Sequence, residues 1–117
     1  MTRADINNLV ASFGLPYSYY QFPDGTSQET PFVVFFYTQN GDLYADQSNY
    51  QEIVTLNIEL YTADQMSSAD LTLMSTIETA LNNAGLTYYK EQSHIDSERM
   101  WQTAYEMDVI ITQPITT

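Results

Sequence analysis

The sequence predicts an α+β domain, with two helices packed on one face of a mostly antiparallel (mixed) β-sheet to form a two-layer sandwich. Three observations predict it. From Ile53 to Thr62 the chain alternates strictly, with Val54, Leu56, Ile58 and Leu60 on one side and Thr55, Asn57, Glu59 and Tyr61 on the other, the period of a half-buried strand. Two other segments, one near the start and one after Ser67, repeat apolar residues at helical spacing between capping and stop signals. Met100 to Ile111 alternates again, setting Trp101, Tyr105, Met107, Val109 and Ile111 against Gln102, Glu106 and Asp108. With the intervening segments the order reads helix, strand, strand, strand, helix, strand, strand. Packing both helices on one sheet face buries every apolar stripe in two layers.

Each element has a local reason. Thr2 is placed to cap the first helix, with Asp5 three residues on; Ile6, Leu9, Val10 and Phe13 share a face, Gly14 suits the exit and Pro16 stops the helix. Tyr17 to Phe22 reads as a short aromatic strand before the Pro23-Asp24-Gly25 turn, where proline presets one dihedral and glycine accepts a positive one. Phe32 to Tyr37 is apolar without alternation, so it reads as a strand covered on both faces, by a helix and another element or by another subunit. Thr38 to Asn49 then reads as a polar excursion, with Asn40-Gly41 as turn signal and Leu43, Tyr44 and Ala45 as its apolar residues. After the long strand, Ser67 or Ser68 caps a second helix with Asp70 in its first turn. Leu71, Leu73, Met74, Ile77, Ala80, Leu81 and Ala84 form its apolar stripe, and Gly85 ends it. Leu86 to Ile95 and Met100 to Ile111 read as the last two strands, and Pro114 marks the tail.

Bulk properties bound the function. The 117 residues suit one domain, 1–117, with a core that needs no metal or disulfide. With no cysteine there is no thiol nucleophile, thiolate metal site or disulfide framework, which fits a reducing compartment. No run approaches the roughly 18 apolar residues of a membrane span, and no secretion signal opens the chain, so the expectation is a soluble protein without membrane partners. Lys+Arg number 3 against 15 Asp+Glu, a net charge of −12, with Arg3, Lys90 and Arg99 as the basic residues. Such a surface cannot neutralise a line of phosphates, which disfavours direct nucleic-acid binding. Solubility accounts for the charge, and so does a surface that must not adsorb DNA; a DNA mimic that occupies the basic groove of a nucleic-acid enzyme is the alternative.

Catalytic chemistry finds no footing. His94, Asp96 and Glu98 are spaced to share a face of an extended chain, yet a facial triad needs a second histidine and the chain has one. What remains is a weak carboxylate-rich site for a hard cation. A serine hydrolase would also need His94, but there is no G-x-S-x-G elbow, and Ser93 falls on the opposite strand face. No phosphate loop or dinucleotide fingerprint is present, and carboxylate pairs such as Glu59 with Glu106, or Glu52 with Asp108, carry little weight in so acidic a chain. The expectation is a non-enzyme without cofactor or metal. A stand-alone small-ligand domain is a third reading, for which no polar pocket constellation is visible.

A resemblance adds a functional lead. Pro16-Tyr17-Ser18-Tyr19-Tyr20-Gln21-Phe22-Pro23, the apolar strand after Pro31, Tyr44-Ala45-Asp46 followed by Asn49-Tyr50, Asn57-Ile58-Glu59-Leu60-Tyr61-Thr62, and Ser97-Glu98-Arg99-Met100-Trp101-Gln102 leading into Tyr105-Glu106-Met107 carry it. Together they resemble the tail-terminator (tail-completion, minor tail protein U-like) proteins of long-tailed phages. The resemblance implies a virion protein, assembled in the host cytoplasm, that forms a ring, a hexamer, on the last ring of the tail tube and presents a surface to the head. Its partners would be the tail tube protein and a head-completion or connector protein. The free subunit would stay monomeric, since copies charged at −12 repel at low salt. Candidate contact residues are Leu43, Tyr44 and Asp46 in the polar excursion, Tyr50 just after it and Tyr61 on the far face of the sheet.

Overall fold

The computed structural model describes residues 1–22, 29–45 and 49–114, with the backbone alone over 39–45, 49–50 and 113–114. The elements follow in the expected order: α1 (Arg3–Ala11), β1 (Tyr17–Tyr19), β2 (Phe32–Ala45), β3 (Asn49–Ala63), α2 (Ser68–Asn83), β4 (Tyr89–Ile95) and β5 (Met100–Pro114). The five strands form one sheet in the order β1-β2-β3-β5-β4, with β1 parallel to β2 and every other pair antiparallel. The α+β two-layer architecture is therefore the one the periodicities imply.

Both helices start on reciprocal caps. Thr2 Oγ1 accepts from the Asp5 amide at 3.1 Å while Asp5 Oδ2 accepts from the Thr2 amide at 2.9 Å, and these bonds hold the Asp5 carboxyl below the usual range. Ser67, and not Ser68, does the same for α2 with Asp70, at 3.2 and 3.0 Å. At its other end α2 closes in a Schellman turn: the Leu86 amide bonds the Leu81 carbonyl and the Gly85 amide bonds the Asn82 carbonyl, each at 3.0 Å. Gly85 sits at φ +76° there, a conformation that a Cβ would strain.

The helices cover one sheet face. Val54, Leu56, Ile58 and Leu60 of β3 are at most 1% exposed, and they meet Ile6, Val10 and Phe13 of the α1 segment and Met74, Ile77 and Leu81 of α2. Val33 and Phe35 of β2 and Tyr105, Met107, Val109 and Ile111 of β5 complete this core. The register fixes the parity: Ile58 stands between Phe35 and Tyr105, so those residues share its face. Glu78 of α2 ties the layers together, accepting from the buried Tyr105 hydroxyl at 2.8 Å and from Lys90 Nζ at 2.9 Å. Burial pushes the Glu78 carboxyl up, but these hydrogen bonds and the Lys90 charge outweigh it and leave it below its ordinary value.

Several expectations need correction. Leu71 is exposed and Leu73 only half-buried, because the buried stripe of α2 runs through Asp70, Met74, Ile77 and Leu81 and Leu71 lies about 90° away from it. Thr38 to Ala45 is strand and not loop: β2 runs on to Ala45 and β3 begins at Asn49, with a shift in register between Gln39 and Leu43, while residues 46–48 of the expected excursion lie outside the described residues. Asn40-Gly41 falls inside that irregularity as a bulge, since the ladder to β3 continues on both sides of it. β1 stops at Tyr19, because Tyr20 adopts φ +70°. Leu86 to Tyr88 lie outside β4, and β5 runs on through Pro114.

Candidate functional site

The expected contact residues do not form one cluster. Leu43, Tyr44 and Tyr50 lie in the arm that β2 and β3 form at the end of their ladder away from Tyr61, in register positions Leu43↔Glu52, Tyr44↔Gln51 and Ala45↔Tyr50. β5 flanks this arm as a third strand, Tyr50 opposite Gln113 and Asn49 opposite Pro114. Asp46 lies outside the described residues. Tyr61 stands eleven residues further along β3, roughly 35 Å from Tyr50 at an ordinary strand rise. The arm and Tyr61 are thus two separate surfaces of a body 52 Å long.

Tyr61 is braced within the domain. Its ring stacks on Phe32 at 4.8 Å between centroids, its hydroxyl donates to Glu59 at 2.9 Å, and Gln102 donates to it at 2.9 Å. Burial pushes its phenol up to about 12. This is the face of the sheet turned away from the helices, and it also carries Phe36, Asn57, Glu91, Glu106, Asp108, Ile110 and Tyr89. Phe32 and Val34 are nonetheless buried here, with Phe22 edge-on to Phe32 and Tyr20 edge-on to Phe36. The apolar run is therefore covered on both sides from within the chain from Phe32 to Phe35, while Phe36 and Tyr37 stay half-buried. Tyr89, 69% exposed, belongs to this face, whereas Tyr88 packs against Tyr105 on the helix side.

Of the spaced trio His94, Asp96 and Glu98, the structure joins the first two and adds a partner from elsewhere in the chain. The Nδ1 of His94 lies 2.5 Å from Asp96 and its Nε2 lies 2.6 Å from Asp64, a residue that follows β3 and that sequence spacing cannot bring near. Both bonds raise the imidazole above its ordinary value, and the Asp64 carboxyl is held low in return, first by the bond to His94. Trp101 contacts the His94 ring edge-on at 4.9 Å and donates its Nε1–H to the Asp64 carbonyl at 3.0 Å. Glu98 does not share in these bonds. Among the described residues no group of three or more histidine and carboxylate side chains is gathered as metal ligands would be.

Among the described residues one concavity is a groove of about 520 Å³ between α1 and the β1–β2 edge, lined by Arg3, Ala4, Asn7, Tyr19, Phe35 and Tyr37, and another, of about 340 Å³, lies between Thr87–Tyr89 and Glu106–Asp108. Arg3 lies over the Tyr37 ring at 4.6 Å and bridges to Glu52 at 3.0 Å. The lining of this larger groove is largely aromatic, with Arg3 and Asn7 as the other polar side chains. Only the pairing of β1 with β2 reveals the groove, because its walls come from three segments with no shared motif.

Comparison with solved structures gives a neighbour for this fold. A chain from the virion of a native gene transfer agent particle superposes with a TM-score of 0.60. The match is 15% identical and covers 90% of this chain and 84% of that one. The likeness is one of fold. Neither a protein-family model nor a curated protein matches the sequence, and among the described residues no helix is long and apolar enough to cross a membrane.

Proposed function

We propose that the chain is a structural protein of a phage-type virion, which caps the tail tube as a ring and offers its other side to the head. The observation that carries this reading is the whole-chain likeness to a protein of a gene transfer agent virion, 90% of one chain on 84% of the other. The sequence resemblance to tail terminators points the same way. In this reading the strand-built arm carrying Leu43, Tyr44 and Tyr50, together with Asp46, which lies outside the described residues, meets the tail tube protein, and a head-completion or connector protein docks opposite. A net charge of −12 lets DNA pass without adsorbing, since like charges repel within the 8 to 10 Å or so that salt leaves unscreened. Non-enzymatic action follows, because assembly needs surfaces rather than a reacting constellation.

The alternative of a DNA mimic calls for phosphate-like rows on one elongated face. Among the described residues the carboxylates divide instead: Glu59, Glu91, Glu106 and Asp108 lie on the open face, while Glu52, Asp64, Asp70 and Glu78 serve the helix side or its corners. The test is complementation of a phage lacking the gene with wild type, Tyr44→Ala and Asp46→Lys, reading tail length and head attachment by electron microscopy. Wild type should restore normal tails, and the variants should give overlong or headless ones. Normal, head-joined tails without any copy of the gene would end the assignment.

A further inference from the structure

We infer that copies of this chain join edge to edge, with β4 of one copy adding as an antiparallel strand to β2 of the next. This deepens the ring reading above and rests on it. Among the open strand edges of the described residues are β2 beyond Phe35 and the whole outer side of β4; the three-residue outer side of β1 and the outer side of β5 beyond Glu106 have no strand partner either. β1 covers β2 only from Val33 to Phe35, and then leaves it. Tyr20 turns away at φ +70°, a left-handed conformation disfavoured for tyrosine, while its amide bonds the Phe35 carbonyl at 2.8 Å. Further along, the register shift after Gln39 interrupts β2 again. The free edge is thereby framed into a short slot, Phe36 to Gln39.

β4 matches that slot in direction, parity and guard. β2, β3, β5 and β4 alternate in direction across the sheet, so the next copy's β2 beside β4 continues the alternation with all helices on one side. Lys90, the charged residue that would guard such an edge, is drawn over α2 by Glu78. Setting Lys90 to Ser93 against Gln39 to Phe36 brings Glu91 opposite Thr38 and Gln92 opposite Tyr37, which keeps helix-side residues on the helix side. Within one copy Gln92 is level with Val33, through Thr103 and Leu60. The contact therefore steps four residues along the strand for each four strands crossed, and at ordinary strand rise and spacing this tilts the strands by about 35°, at the edge of the range in which sheets close into barrels. A head-to-tail contact with such a tilt closes into a ring instead of growing flat. Tyr20 and Tyr89, 66% and 69% exposed, flank the join on the open face.

Because the chain has no cysteine, disulfide trapping reads the contact directly. Thr38 and Glu91 are both exposed on the open face, so Thr38→Cys and Glu91→Cys should leave the fold intact, which thermal melts of each variant check. Under mild oxidation on purified tail tubes, or at high salt where the −12 charge is screened, a mixture of the two single variants should give covalent dimers. The double variant should give a ladder ending at the ring. Dimers from Glu91→Cys alone or Thr38→Cys alone would mean two-fold pairing and overturn the proposal. Capped tubes without any disulfide would overturn the edge assignment and leave the capping reading standing, whereas failure of both capping and trapping would overturn the two together.

Discussion

The two faces of β3 are built on different physics. On the helix side Val54, Leu56, Ile58 and Leu60 are sealed under α1 and α2. On the open side their neighbours Thr55, Asn57, Glu59 and Tyr61 hold one another through a polar and aromatic ladder: Thr55 donates to Asp108 at 2.9 Å, Tyr61 to Glu59 and Gln102 to Tyr61. The chain's three basic residues all avoid that ladder, with Arg3 and Lys90 reaching over the helix side and Arg99 lying in the β4–β5 turn. One strand thus separates stability from surface chemistry. Residues on the open face can be chosen for a partner without disturbing the core.

Truncation in the covered row tests this separation most strongly. Leu56→Ala or Ile58→Ala should lower stability by about 2 to 5 kcal/mol in urea unfolding, the cost of lost burial plus a residual cavity. Asn57→Ala, one residue away on the other face, should stay within about 0.5 kcal/mol. Equal costs for the two would erase the distinction between the faces.

A smaller effect is expected where the open face is braced. Tyr61→Phe keeps the ring stacked on Phe32 but removes the hydroxyl shared by Glu59 and Gln102. The loss should be about 0.5 to 1.5 kcal/mol, because the freed partners are only partly buried and can turn to water. A loss as large as that of Leu56→Ala would make the open face part of the stabilising core, and a docking role for it would become implausible.

How much of this was legible in the sequence depended on the range of the interactions. Alternation in β3 and β5 and the capping signals at Thr2 and Ser67 are local, and they yielded both the element order and the buried rows. Leu71 misled because apolarity marks a helix face only coarsely, and the packing of α2 chose the stripe through Asp70 instead. The polar run after Thr38 misled because its composition favours turns, while the ladders from β2 to β3 and from β3 to β5 hold it extended. The groove beside α1 and the Asp64–His94 contact were invisible for one reason: each is made by residues far apart in the chain. Of the candidate contact residues, Tyr61 was recognisable as an aromatic on the far face, but its separation from the arm emerges only from the register.

The smallest expected effect lies at the corner where the two faces meet. His94 is held by Asp64 and Asp96, and those bonds raise its imidazole above the ordinary value of 6.5. A group whose folded value is raised contributes stability that is fully present below its unfolded value and fades as pH rises through the folded one. The melting temperature of the wild type should therefore decline as pH climbs from about 6.5 upward, in a window set by the histidine rather than by the carboxylates. Asp64, held below its ordinary 3.8, works in the opposite sense and loses its contribution only on the acid side of that value. His94→Gln should flatten the neutral-to-alkaline slope while leaving the acid limb in place. Trp101, the chain's single tryptophan, touches the imidazole edge and gives a second readout, since its fluorescence should titrate in wild type and not in His94→Gln. Added salt should weaken the slope, because Asp96 is almost fully exposed and its attraction is screened. An identical slope in wild type and His94→Gln would show that the corner carries no pH-dependent tie.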